Sequence, residues 1–324
     1  MENKLEDKDF KCISSSYHIM TINKNVKSPD KNTPAPTAAK RMELVLSTIE
    51  DFPVSVIFCQ EVPAKLEKEV IKKCGSGVYE FAFRDKEAAV MWRTRDFYGE
   101  RKSLKGKDLS SIDIGERLQR KRSNVDVSEV YTRTAMVRLT SRKTGASFLA
   151  VSWHGPSKVS DESKSKALDG LICFLCEVCE NEKLSSFIIG GDFNLDTSTV
   201  DLTKHKGVTI SRYSLCARDK NRLKQDAIKK ELGIGGCRFI PYKDTFIVSV
   251  KAPSDERPIT GYITVSSERP LEPKNESSDN KLMDHVPVVG VLNLWPYKKP
   301  YIEKDNGKLN SIFSLAFSNR LLLI

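Results

Sequence analysis

Five places in the 324-residue sequence end an apolar run on an oxygen- or imidazole-bearing side chain. IMTIN closes on Asn23, VIFCQE on Glu61 and LAVSWH on His154. FIIGGDFN presents Asp192 and Asn194, and KLMDHVPV offers Asp284 and His285 just before a further apolar run. Carboxylate and amide oxygens are what a hard cation such as Mg²⁺ takes as ligands. Hydrolysing a phosphodiester needs such a cation on the non-bridging oxygens, an activated water and help for the leaving oxygen. Taken singly, each place has a plainer reading: Asn23 or Glu61 as a turn residue, GGDFN as a glycine turn, His154 as a satisfied surface histidine. Asp192 and Asn194 are two residues apart, so on an extended chain both side chains point the same way.

Such groups work only if rigid elements bring them together, and the pattern supplies candidates. Residues 17–22 and VSVIF read as strands, separated by a polar loop and a helix over 38–50 with Met42, Val45, Leu46 and Ile49 on one face. YEFAF and EAAVMW read as one hairpin, TAMVRLT and SFLAVSW as another. A helix is expected within 163–180, then the strand SFII, then FIVSV, YITVSS and VPVVGVL. Hairpins interleaved with helices indicate an α/β sandwich of two sheets.

Cys173, Cys176 and Cys179 look like a metal cluster in sequence but lie within the helical pattern LDGLICFLCEVCENE. At about 100° per residue, steps of three drift around a helix, so the sulfurs do not converge on one ion and read as core. Eight scattered cysteines suit free thiols in a reducing compartment, cytoplasmic or nuclear. The opening MENKLEDKDF has no apolar core for a signal peptide, and no run is long enough for a membrane span.

The net charge of +10 suits a polyanionic partner. Residues 99–128 hold eight Lys/Arg against five acids and read as an inserted loop; residues 201–244 hold eleven against five, with Tyr213, Phe239 and Tyr242 nearby. Basic loops with aromatics suit a nucleic-acid rim, whereas NRLKQDAIKKEL alone reads as a solvated helical face. The domain is expected over 16–297, with a charged tail at 1–15 and a second tail at 298–324 whose end, SIFSLAFSNRLLLI, suits a docking helix. Protein partners are not legible.

The joint order of these motifs resembles the endonuclease/exonuclease/phosphatase, or DNase I-like, family. The matching residues are Ile22-Asn23, Gln60-Glu61, Trp153-His154, Gly191-Asp192-Phe193-Asn194 and Asp284-His285-Val286-Pro287. The resemblance implies a four-layer α/β sandwich, two mixed β-sheets flanked by helices, and a Mg²⁺- or Mn²⁺-dependent phosphoesterase. It assigns Glu61, with Asn23 and Asp284, to the metal pocket, Asp192 to the attacking water and Asn194 to a phosphate oxygen. His285 and His154 would contact the scissile phosphate, and Arg133 in YTRTAMV would add a cation. The expected substrate is DNA or RNA. The alternatives are a phosphoinositide, sphingolipid or nucleotide, or a nucleic-acid-binding module without turnover.

Two departures stand out. Gly261, in Ile259-Thr260-Gly261-Tyr262-Ile263, occupies the place of an Asp that orients the terminal His in the family, so another acid, such as Asp255, would have to reach His285. No acid stands near Thr132 to pair with the mid-chain His, Glu129 being off register.

Overall fold

A computed structural model describes residues 15–23, 38–51, 54–63, 65–84, 87–100, 132–184, 186–202, 208–213, 244–251, 261–270 and 288–296. Asp284, His285, Asp255, the NRLKQDAIKKEL stretch, the C-terminal tail and 101–131 lie outside them.

The chain runs β1 (Ser15–Asn23), α1 (Ala38–Asp51), β2 (Val56–Gln60), α2 (Leu66–Cys74), β3 (Tyr79–Arg84), β4 (Ala88–Arg93) and β5 (Phe97–Glu100). It continues β6 (Thr134–Ser141), β7 (Ser147–His154), α3 (Asp161–Asn181), β8 (Ser186–Asp192), β9 (Val208–Tyr213), β10 (Asp244–Lys251), β11 (Gly261–Pro270) and β12 (Val288–Pro296). Two six-stranded sheets result, ordered β11-β12-β1-β2-β4-β3 and β5-β6-β7-β8-β10-β9.

Each sheet is mixed for the same reason. A helix lies in the connection from β1 to β2 and from β7 to β8, and a crossover of that length lets the flanking strands pair in parallel. All other pairings are antiparallel, including the expected β3–β4 and β6–β7 hairpins.

Alternation along the strands builds the layers. Val56, Phe58, Val90, Trp92, Phe148, Ala150 and Ile188 fill the space between the sheets. Ile57, Cys59 and Met91 face the opposite way and pack with Val45 and Ile49 of α1 and Leu66 and Val70 of α2. Leu149, Val151 and Ile189 meet Leu168, Leu171 and Leu175 of α3 on the outer face of the other sheet. Helix, sheet, sheet and helix make the four-layer sandwich. Burying a side chain such as Phe58 contributes about 1.5–3 kcal/mol.

Helix α3 starts where Ser160 Oγ accepts from the Ser163 amide, with Asp161 and Glu162 in the first turn beside its positive end. Cys173, Cys176 and Cys179 lie along it as thiols, with Cys179 buried against the core. Among the described residues no group of three His, Cys, Asp or Glu side chains is placed to hold a metal, and no helix is long and apolar enough to cross a membrane.

Three elements went unforeseen. Helix α2, in LEKEVIKKC, shows only Leu66 and Val70 as buried positions, too few for a clear period. Strand β5 buries one residue, Phe97, and its last two residues overlap the start of the stretch read as an insertion. Strand β9 lies within the basic 201–244 stretch, whose charge masked its pattern. Strand β1 begins at Ser15, one residue inside the stretch read as a tail.

Candidate active site

Each of the two parallel pairs delivers two candidate positions at its carboxyl end. Asn23 stands level with Gln60 across β1 and β2, and His154 with Asp192 across β7 and β8. Carboxyl ends of parallel strands are where α/β folds habitually place ligands. The two ends meet: Asn23 Nδ2 donates to Asp192 Oδ2 at 2.8 Å, from one sheet to the other.

Behind this contact lies a second tie. Gln60 Nε2 donates to Ser152 Oγ at 3.0 Å, Ser152 Oγ donates to the Cys59 carbonyl at 2.8 Å, and Thr21 Oγ1 donates to Gln60 Oε1 at 3.2 Å. All of these side chains are buried, so the network fixes how the sheets stack beneath the site.

Asp192 is buried, and its other oxygen, Oδ1, accepts from the Asn194 amide at 2.9 Å. The extended geometry expected for 192–194 does not hold. Asn194 has φ 50, in the left-handed region, so the chain turns sharply after β8 and folds Asn194 back. Its side-chain Nδ2 donates to the Gly155 carbonyl at 2.9 Å, while the Gly155 amide donates to the Asp192 carbonyl at 2.7 Å. The turns after β7 and β8 are thereby locked together. Glycine is required there for close approach: a Cβ on Gly191 would collide with the Trp153 carbonyl oxygen, and one on Gly155 with that of Phe193.

His154 is 6% exposed at the end of β7, and its amide donates to the Arg133 carbonyl. Its ring lies between two carboxylates. Nδ1 is 2.8 Å from Glu87 Oε2, and Nε2 is 3.6 Å from Glu61 Oε1. Arg133 Nη1 is 3.3 Å from the same Nδ1 and 3.6 Å from Glu87 Oε2. A guanidinium has no acceptor capacity, so it and a protonated Nδ1 cannot bond each other. The shorter contact to a carboxylate decides the tautomer: Nδ1–H donates to Glu87, and Nε2 is the nitrogen left facing Glu61.

Glu61 follows β2 at φ 52, a strained conformation for a side chain of its size, and its amide donates to the Glu87 carbonyl at 2.9 Å. Glu61, Val62, Glu87, Arg133, His154 and Ser157 line a cavity of about 400 Å³.

The structure thus gathers Asn23, Glu61, Arg133, His154, Asp192 and Asn194 at one end of the sandwich. Glu87 and Ser157 join them without having been singled out from the sequence. Glu87 corrects the expectation that His154 lacks an acidic partner, because the acid arrives from the β3–β4 turn and not from near Thr132. The signal was present, since antiparallel pairing of β2 with β4 sets Gln60 against Ala88 and so brings Glu87 beside Glu61. Gly261 is placed elsewhere: it pairs with Pro296, at the end of β12 remote from Val288, while Val288 pairs with Thr21 near Asn23.

The donor chemistry fits a hard cation in part. Mg²⁺ is commonly bound through one or two carboxylates and keeps several waters, and Glu61 presents one carboxylate at the cavity.

No family model matches the sequence, and no curated protein matches it. Solved structures share its fold. An endonuclease/exonuclease/phosphatase from Bacteroides vulgatus aligns with a TM-score of 0.53 at 16% identity, covering 86% of this chain and 99% of that one. A mannosyl-6-phosphatase from Bacteroides thetaiotaomicron gives 0.53 at 15% identity, with 85% and 99% covered. D. rerio TDP2 complexed with a single-strand DNA product gives 0.50 at 15% identity, with 86% and 99% covered. The fold is that of the endonuclease/exonuclease/phosphatase proteins.

Proposed function

We propose that the chain is a divalent-metal-dependent phosphoesterase of the endonuclease/exonuclease/phosphatase family, acting on phosphodiester bonds of nucleic acid. The observation that carries this reading is His154, fixed between Glu87 and Glu61 at a cavity that Arg133 also lines.

In this reading Arg133 and Asn194 take phosphate oxygens, Arg133 as a cation whose planar fork suits them. Glu61, with Asn23 nearby and Asp284 from the sequence motif, would hold Mg²⁺ or Mn²⁺. When bound, that ion offsets the charge on the non-bridging oxygens. Asp192, its direction set by Asn23 and by the Asn194 amide, positions the attacking water. His154 presents Nε2 to the phosphate while Glu87 holds its Nδ1 proton, an arrangement that fixes the orientation of the ring. His285 is proposed as a further phosphate contact on the strength of its Asp-His-Val-Pro motif.

Nucleic acid is favoured by the net charge of +10, by the basic stretches 99–128 and 201–244, and by the likeness to D. rerio TDP2 with its single-strand DNA product. Cytosol or nucleus suits both such a substrate and the thiols of Cys59, Cys74, Cys173, Cys176 and Cys179. A second reading, a small phosphoester substrate, is favoured by the cavity of about 400 Å³, which is of small-ligand size, and by the likeness to a mannosyl-6-phosphatase.

The test is hydrolysis by the purified chain, with Mg²⁺ or Mn²⁺, of single-stranded DNA, RNA and a sugar phosphate, beside Asp192→Ala and His285→Ala. Cleavage of the polymers, lost in the variants, supports the proposal, and turnover of the sugar phosphate alone supports the second reading. Wild type and variants equally inert, yet still binding DNA or RNA, would reduce the chain to a binding module.

A further inference from the structure

Among the described residues β3 is an edge strand, paired with β4 on one side only. Edge strands of soluble proteins are usually blunted by Pro, Lys, a bulge or an inward charge, because their open N–H and C=O groups recruit other strands. β3, YEFAFR, has neither Pro nor Lys, pairs with β4 without a register shift, and keeps its acid, Glu80, exposed and not turned into the core. It exposes an aromatic ring instead. Phe83 is 41% exposed and stacks parallel to the buried Phe81, with centroids 5.5 Å apart and an interplanar angle of 4°. Ile71, 38% exposed, lies on α2, which packs against β3.

The sequence of this edge is nearly its own reverse complement in chemistry. Centred on Ala82 it reads Glu80-Phe81-Ala82-Phe83-Arg84, so an antiparallel pairing with an identical strand places Ala82 opposite Ala82. It also sets position 81 opposite 83, an aromatic pair, and position 80 opposite 84, a glutamate against an arginine. Two-fold symmetry makes the aromatic and the charged pair twice each, with the Ala82 pair on the axis. Aromatic and opposite-charge pairs directly across are the pairs that stabilise an antiparallel ladder. A self-complementary patch on both partners is what a two-fold dimer requires.

We propose that β3 pairs antiparallel with β3 of a second copy of this chain, centred on Ala82, joining two six-stranded sheets into one of twelve. The interface is one strand pair with its flanking Phe83 and Ile71, so the dimer forms as a function of concentration. Because the paired strands run in opposite directions, the ends carrying Glu87 point away from each other. The two cavities therefore lie at opposite margins of the joined sheet, open in the dimer as in the monomer.

Sedimentation velocity of the purified full chain over a range of concentration tests this. The wild type is expected to pass from monomer to dimer. Phe83→Lys, whose folding is checked by circular dichroism and thermal melting, remains monomeric. Glu80→Arg sets like charges across both symmetric pairs and weakens the dimer about tenfold or more. Adding Arg84→Glu to that variant restores it. A wild type that is monomeric at every concentration overturns the proposal, as does a dimer indifferent to Phe83→Lys and Glu80→Arg. A dimer that the double charge reversal does not restore overturns the register.

Discussion

His154 has one ring nitrogen committed to Glu87 and the other turned toward Glu61, so its tautomer is set by a residue 67 positions earlier in the chain. That dependence is testable at the level of a single oxygen. Glu87→Gln keeps the shape of the side chain but offers Nδ1 a neutral acceptor or a clashing N–H in place of a carboxylate. Carboxylates that orient a histidine in this way around a bound metal change activity by about 10–100-fold when replaced, and the same scale is expected here. The variant should therefore lose that much in kcat with KM little changed, as steady-state rates at saturating and limiting substrate will show. An unchanged kcat would mean that Glu87 merely fills space. The two left-handed residues at this end, Glu61 and Asn194, tell a related story. Each such conformation costs of order 1–3 kcal/mol and persists only when its surroundings impose it. Here the impositions are visible: the Glu61 amide on the Glu87 carbonyl, and Asn194 held by Asp192 and Gly155.

At the scale of elements, strand β8 approaches β2 and β7 so closely that only glycine fits at two of its positions. A Cβ on Gly190 would lie 2.5 Å from the Phe58 ring, and one on Gly191 would meet the backbone oxygen of Trp153, which cannot rotate away as a side chain might. Gly191→Ala should cost about 1–3 kcal/mol through overpacking, read as a lower melting temperature. Because β7 and β8 carry His154 and Asp192 in register, the same change should also lower activity. A variant with unaltered melting would show that these strands have slack. Much of this end was legible in the sequence because the strands are apolar runs that stop abruptly on polar groups: Asn23, Glu61, His154 and Asp192 each follow one. What escaped notice depended on pairing between distant segments. Glu87 reads as one charge in a hairpin turn until the β2–β4 register sets it beside Glu61. The backward turn of Asn194 is a matter of one dihedral angle that residue type does not announce. The short elements α2, β5 and β9 bury too little to leave a period.

At the scale of the whole molecule, the three packed layers of side chains predict which groups are out of reach of solvent. Cys59, fully buried between β2 and the helices, has its thiol pushed up to about 12 by burial, against an ordinary value of 9.0. The thiolate is the reactive form, so Cys59 should resist alkylation at mildly alkaline pH while the chain is folded and react once it is denatured. Mass spectrometry of the Cys59 peptide after iodoacetamide, with and without denaturant, provides the check. Rapid native labelling would place the strand nearer solvent than the packing allows. The same layers explain how a chain with no more than 16% identity to the fold's representatives reported above keeps their architecture: alternation and strand-end chemistry persist where individual side chains do not. On the proposed reading, the pairing of these sheets assembles a phosphate-ester site around His154. It is met most directly by the initial rate of phosphodiester hydrolysis in Mg²⁺ for the wild type beside His154→Ala. The account predicts turnover by the wild type and a loss of about 10²–10⁴-fold in the variant, the usual contribution of a positioned proton-transfer group. Equal rates in the two proteins, at or above the uncatalysed background, would contradict it.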